Sequence, residues 1–419
     1  MLLFEKITTL VTVAAPDGWE EGAAIPVPHR AGKAMGQIGV IRNGAIAVDG
    51  ERIVWVGPTE AANFPDTERI DCTGKTILPG FVDSHTHIVF AGNRANEFAM
   101  RLRGATYQEI AEAGGGILSS MRSVRHATVE SLVAESLPRI WNAFRHGTTT
   151  IEAKSGYGLD TENELKLLQA IRQAANEVPA TLIPTFLGAH AIPPEHKASR
   201  EEYVRIVAEE MIPEVVGAGL AEFCDVFSDT GYFTVEESEQ IYRAATKQGM
   251  KLKVHADELS SFGGAEMAAR VGAASADHLL MISEEGIVQM RQAGVVATLL
   301  PGTAFYLGLP FAPARKMIAA GMAVALATDC NPGSNMSENM QMTLALACMG
   351  MKMTVEEAIT AATLNGAAAV RRSDQIGSVE VGKMADLAIF NVPDYPDIVY
   401  HYGVNQVGMV VKAGQIHAA

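Results

Sequence analysis

From Thr76 onward the chain alternates short apolar, β-branched runs with longer segments in which apolar residues return every three or four positions. Eight such runs occur: Thr76–Asp83, Thr148–Glu152, Thr181–Leu187, Glu222–Phe227, Leu252–His255, Ala274–Asp277, Val295–Leu300 and Ala323–Thr328. The segments between them carry the helical period, for example Ser131–Phe144, Thr161–Asn176, Arg200–Val216, Val235–Gln248, Phe262–Val271, Ser283–Ala293 and Pro313–Ala320. Thr161 with Glu164, and Thr234 with Glu237, have the spacing of a helix-opening capping box. Gly249, Gly272, Gly294 and Gly321 stand where helices are expected to end. Eight strands alternating with helices predict an α/β fold, a TIM-like (β/α)8 barrel. A doubly wound open sheet is the alternative, but no GxGxxG opens a helix after the first strand, so a dinucleotide site is unsupported.

The two ends have a different texture. Residues 1–76 read as β-structure, and Val40–Gly57 holds two hairpin signals, Asn43-Gly44 and Asp49-Gly50. Pro26–Ile38 reads as loop. Residues 366–419 return to β: Ile376–Phe390 predicts two strands around Gly382-Lys383, and Val407–Lys412 another, closed by Ala413-Gly414. The expectation is a barrel over 77–365 flanked by 1–76 and 366–419, which meet as one small composite β-sandwich domain.

Composition narrows the class. The 419 residues are 48% hydrophobic and 19% charged, the balance of an ordinary globular chain. A net charge of −15 argues against nucleic acid or an anionic membrane as partner. Cys72, Cys224, Cys330 and Cys348 form no CxxC pair, which suits a reducing compartment. The opening MLLFEKITTLVTV lacks a basic n-region, and no apolar run reaches the ~18 residues of a membrane span. A cytoplasmic location is expected.

Chemistry collects where barrel strands end. In this architecture the strand C-termini share one face. The first strand ends in LPGFVDSHTHIVFAGNR (Leu78–Arg94), where His85 and His87, two apart, project to one side. The third ends at His190, the fifth at His255 and Glu258, the sixth at His278 and the eighth at Asp329. His85, His87, His255 and Asp329 make a nitrogen–oxygen set suited to zinc or iron. A bound ion lowers the pKa of a water toward neutral, so hydrolysis at a polarised carbon is expected. No lysine lies on the fourth strand to bridge a second metal; Lys154, on the second, reads as a supporting residue. His29, His126, His146, His196, His401 and His417 lack the strand-end setting.

PGFVDSHTH and VGKMADLAIF resemble the first-strand and C-terminal motifs of the amidohydrolase superfamily. Phe90–Ile117, EAKSGYGLD (Glu152–Asp160), FLGAHAIP (Phe186–Pro193) and ATDCNPGS (Ala327–Ser334) resemble, more narrowly, the imidazolonepropionases of histidine degradation. The resemblance implies hydrolysis of 4-imidazolone-5-propanoate to N-formimidoyl-L-glutamate, one zinc or iron ion per subunit and a homodimer. It implies that Arg94 grips the propionate tail, for which a guanidinium fork is well shaped. Tyr157 and His190 then face tail and ring, and Glu258 the ring nitrogens. Asn331, Gly333 and Ser334 form a carboxylate-receiving turn; Ser334 stands where the family often has threonine. Metal-activated hydroxide would attack the ring carbonyl, with His278 polarising it and Asp329 and Glu258 handling protons. Gly114-Gly115-Gly116 reads either as the hinge of a covering loop or as a plain helix-breaking loop. Deamination of a nucleobase-like ring is the alternative, and Arg94 argues against it, since a neutral base needs no carboxylate clamp.

Overall fold

A computed structural model describes residues 1–14, 28–105, 109 and 114–419. Pro26 and part of the Phe90–Ile117 stretch lie outside the described residues. The chain opens with β1 (Leu2–Val11), β2 (Val40–Asp49), β3 (Arg52–Pro58), β4 (Glu68–Asp71) and β5 (Thr76–Pro79). The barrel strands follow: β6 (Phe81–Asp83), β7 (Thr148–Lys154), β8 (Thr181–Ala189), β9 (Phe223–Ser228), β10 (Lys251–Ala256), β11 (Ser275–His278), β12 (Val296–Leu299) and β13 (Val324–Leu326). The chain closes with β14 (Leu387–Phe390), β15 (Val407–Lys412) and β16 (Gln415–Ala418).

β6 to β13 pair in sequence order, every ladder parallel. The eight-stranded barrel expected from the hydrophobic pattern is present. Its seam, between β13 and β6, is closed by hydrogen bonds just beyond the strands. Thr328 donates its amide (2.9 Å) and hydroxyl (2.6 Å) to the Asp83 carboxylate. The Asp329 amide donates to the His85 carbonyl, and the His87 amide to the Cys330 carbonyl, each at 3.0 Å. The strands are buried on both faces, as parallel strands under helices must be.

The other sheet has the order β16-β15-β14-β5-β1-β2-β3, with β4 beside β1. Both ends of the chain build it, as expected, and its strands join in one hydrogen-bonded path. β1 pairs in parallel with β4 and β5; the remaining ladders are antiparallel. Three local expectations need correction. The run Thr76–Asp83 is two strands, β5 in this sheet and β6 in the barrel. The chain changes sheets at Gly80, where a Cβ would run into the Thr149 side chain. Asn43-Gly44 is no hairpin turn: it lies inside β2 in regular register with β1, Asn43 taking φ +48°, and the register shift falls beside it at Glu5-Lys6 of β1, where Lys6 takes φ +54°. Asp49-Gly50 does turn β2 into β3. Of Ile376–Phe390 only Leu387–Phe390 is strand. Around Gly382 the backbone instead wraps the buried Lys383 ammonium, which donates to the Ser373 carbonyl at 2.7 Å and the Ser378 hydroxyl at 2.5 Å.

The Thr234/Glu237 capping box forms as expected. The one predicted at Thr161 does not. Asp160 caps that helix, and Glu164 turns inward to accept the amides of Gly156, Gly158 and Leu159 at 2.9, 2.7 and 2.9 Å. Among the described residues no helix is long and apolar enough to cross a membrane.

Candidate active site

The strand-end residues meet over the barrel mouth. His85 and His87 lie beyond the last paired residue of β6, yet continue its alternation: their backbones bond toward β13, and Thr86 between them accepts the Lys154 amide at 3.0 Å from the β7 side. His255 sits in β10, and His278 ends β11. His278 and Asp329 have φ of +76° and +54°, left-handed values that bulky residues avoid. The fold holds them there, and both side chains are buried in the site.

The polar atoms converge closely. His255 Nε2 is 3.3 Å from His87 Nε2, and Asp329 Oδ1 is 3.5 Å from His85 Nε2 and 3.7 Å from His87 Nε2. Four ligands about 2.0–2.2 Å from one ion in tetrahedral array stand roughly 3.3–3.6 Å apart, so the spacing fits a bound cation. His85 Nδ1 bonds Asp277 Oδ2 at 2.6 Å, while its Nε2 is buried without a hydrogen-bond partner among the described residues. His255 Nδ1 lies 3.1 Å from Asp225 Oδ2, which leaves Nε2 for the centre. In three overlapping triads the ligand atoms lie within 4.8 Å of one another: His85 with His87 and Asp329, His85 with His255 and His278, and His87 with His190 and His255. Burial, followed by the neighbouring cationic groups, holds the imidazoles of His85 and His87 well below their ordinary range, as ligands require. Asp329 accepts the Thr303 hydroxyl at 2.6 Å; burial lifts its carboxyl to about 6.

Above these groups lies a cavity of about 390 Å³. Every residue proposed from the sequence as a metal ligand, proton carrier or substrate contact lines it except His85. His190 stacks on His87 with centroids 4.9 Å apart, and its Nδ1 bonds the Gly156 carbonyl at 2.9 Å, leaving Nε2 toward the cavity. Tyr157 is buried against both rings. Glu258 lies 3.6 Å from His278 Nδ1; burial, then the nearby Asp329 and Asp229 carboxylates, pushes it up to about 8, so it is a proton donor at neutral pH. Asn331 shapes the turn after β13: its side-chain oxygen accepts the amides of Gly333 (2.8 Å) and Ser334 (2.7 Å), and its amide nitrogen donates to the Ser334 hydroxyl at 2.8 Å. Arg94 lines the rim but is already paired, 2.8 Å from Glu97 Oε2.

The sequence reading missed several groups. Arg101 lines the same rim, donates to the Gly333 carbonyl at 3.1 Å and lies over the Tyr306 ring. Arg94, Glu97 and Arg101 fall at i, i+3 and i+7, one face of a helix, a spacing that marks them together. Asp225 and Asp277, which hold two of the imidazoles, sit inside apolar strands. Their signal is a carboxylate in a run otherwise buried. Gly114-Gly115-Gly116 borders residues that are not described, and no hinge is assigned.

The amidohydrolase family profile matches residues 76–417. An imidazolonepropionase from Shouchella clausii is 51% identical over 393 residues, 92% of this chain and 88% of that protein. One from Alkaliphilus metalliredigens is 48% identical over 420 residues, 99% of this chain and 97% of that protein. Among solved structures, a zinc complex of atrazine chlorohydrolase from Arthrobacter aurescens superposes with a TM-score of 0.73 at 19% identity, covering 99% of this chain and 95% of that one, a likeness of fold.

Proposed function

Because the chain belongs to the amidohydrolase family, and within it to the imidazolonepropionases, we propose that it hydrolyses the cyclic amide of 4-imidazolone-5-propanoate, giving N-formimidoyl-L-glutamate. The observation that carries this reading is one cavity with convergent imidazole and carboxylate atoms at its floor and guanidinium groups at its rim. The floor suits a divalent ion and the rim a carboxylate tail.

His85, His87, His255 and Asp329 hold the ion in this reading. When bound, it polarises a carbonyl and makes water a nucleophile near neutral pH. The chain does the rest. Arg94 and the Asn331–Ser334 turn bind carboxylate, Arg94 exchanging its bond to Glu97 for one to the tail. Tyr157 and His190 hold ring and tail against the wall. His278 donates to the ring carbonyl as charge builds on its oxygen. Asp329 accepts the proton of the attacking water, and the protonated Glu258 supplies one to a ring nitrogen. One zinc or iron ion per chain, a homodimer and a cytoplasmic setting complete the proposal.

The test follows the ultraviolet absorbance of freshly generated 4-imidazolone-5-propanoate with purified, zinc- or iron-loaded protein. Loss of absorbance with formation of N-formimidoyl-L-glutamate is expected. No turnover by metal-replete protein, or ammonia release from a nucleobase in its place, overturns the reading.

A further inference from the structure

Beneath the histidines lies a cluster that the hydrolysis does not use directly. Lys154, at the end of β7, is completely buried, and so are the groups around it. Its ammonium is 2.8 Å from Glu152 Oε1, 2.8 Å from Asp225 Oδ2 and 3.8 Å from Asp277 Oδ2. Each carboxylate then reaches a different part of the histidine set. Asp277 holds His85 Nδ1 at 2.6 Å. Asp225 lies 3.1 Å from His255 Nδ1. Glu152 accepts the Thr86 amide at 3.3 Å, the peptide between His85 and His87, while the Thr86 hydroxyl donates to the Glu152 carbonyl at 2.7 Å. The Lys154 amide donates to the Thr86 carbonyl. A second buried ammonium, Lys253, is more local: it touches Ser275 at 2.5 Å and lies 3.5 Å from Asp277.

A buried ammonium needs paired carboxylates, and a carboxylate behind an imidazole fixes the ring's tautomer and rotation. Here one ammonium serves three carboxylates on three strands. We infer that Lys154 is the positioning residue of the metal site, locking His85, His87 and His255 into one geometry through Asp277, Glu152 and Asp225. Without it, three carboxylates face one another across a dry interior and repel. Asp225 and Asp277 then move off the imidazoles they orient. The inference rests on the metal-dependent reading above and adds the residue that organises its ligands.

Zinc affinity, measured by competition with a chromophoric chelator, is the readout. The parent protein binds zinc; if it does not, the metal-dependent reading fails, whatever Lys154 does. Lys154→Met is expected to weaken zinc binding about 10- to 100-fold, the usual cost of losing support behind a ligand, and Lys253→Met several-fold less. Asp225→Asn and Asp277→Asn test the sharing with Lys154 in place, which keeps the question answerable if Lys154→Met does not fold. Because both carboxylates lean on one ammonium, the double variant is expected to lose clearly less affinity than the product of the single losses. Single losses that multiply, or zinc binding by folded Lys154→Met within twofold of the parent, overturn the inference.

Discussion

In the proposed function Arg94 is the residue on which substrate choice turns, and it comes already paired with Glu97. Pairing keeps the fork oriented before a ligand arrives, and Glu97, when it gives up the fork, still accepts the Gly116 amide at 3.1 Å. Arg94→Ala is expected to raise KM about 10- to 100-fold, the worth of a charge-assisted bond, and to change kcat far less. His278→Ala should do the reverse, lowering kcat by about 10²- to 10⁴-fold. Steady-state kinetics separate the two, and equal effects on kcat in both variants would void the assignment. Buried titratable groups also set a pH profile for the metal-free protein. The imidazoles of His85, His87 and His278 are held well below 6.5, and His190 is lowered to about 3, in each case chiefly by burial. Unfolded imidazoles take up protons below pH 6.5 that the folded ones refuse, so stability falls as pH drops from 6.5 toward 3. Glu258, pushed up to about 8, and Asp83, to about 7, act oppositely: folded, they keep protons that the unfolded chain has lost above its ordinary 4.5 and 3.8. Above pH 6.5 the imidazoles no longer oppose them, and stability should fall with rising pH by at most about 1.4 kcal/mol per unit per group. Urea midpoints should therefore peak near neutrality, and Glu258→Gln should flatten the alkaline side. A profile that rises steadily to pH 8 would contradict this.

At the scale of elements, the loop of Gly156–Asp160 depends on the helix that follows it. Glu164 turns its carboxylate away from solvent to bind three amides of that loop, which carries Tyr157. Glu164→Ala strands those amides in a dry interior at about 1–3 kcal/mol each. It should lower the melting temperature and raise KM, with zinc affinity close to the parent's, because the loop meets the proposed ligands only through the Tyr157 ring beside His87. A large loss of zinc affinity would show that the loop supports the floor as well as the wall. The same helix shows where sequence reading reaches its limit. Thr161 and Glu164 have the spacing of a capping box, but spacing cannot tell whether the acid faces its own helix or the loop before it. Strand periodicity located all eight barrel strands, since parallel strands between helices are apolar throughout, and the strand-end rule brought His85, His87, His190, His255, His278 and Asp329 to one face. Asn43-Gly44 misled because a left-handed residue inside a strand calls for the same residue types as a hairpin turn. The split of Thr76–Asp83 was hidden because both sheets want the same apolar residues there, and only the contact with Thr149 at Gly80 marks the change. Asp225 and Asp277 were illegible for a related reason: their partners are Lys154, His85 and His255, far away in sequence.

For the molecule as a whole, the proposed ligands lie on the first, fifth and eighth barrel strands or just past them, so one ion would tie the fifth strand to the seam where the first and eighth meet. The seam between β13 and β6 is the weakest part of the closure: it rests on Asp83, Thr328 and two backbone bonds that involve His85, His87, Asp329 and Cys330. Three of those residues are proposed ligands, so metal binding and barrel closure draw on the same few residues. An ion bound only by the folded state adds stability as its concentration rises, about 4 kcal/mol at a thousandfold excess over Kd. Removing it with a chelator should lower the melting temperature, and added zinc should restore it in a concentration-dependent way. Hydrogen exchange should locate the change: amides of 83–90 and 327–331 should exchange faster in the metal-free protein, whereas those of β1 and β2 in the other sheet should not. The sheets are joined at Gly80, whose amide donates to the Asp386 carbonyl at 2.9 Å, but the proposed ligands lie on the far side of β6 from that junction. A melting temperature unchanged after the ion is removed would mean that the barrel closes without it and that the ligands are held wholly by the network around Lys154. Faster exchange spread evenly over both sheets would place the ion's effect on the entire fold and not on the seam.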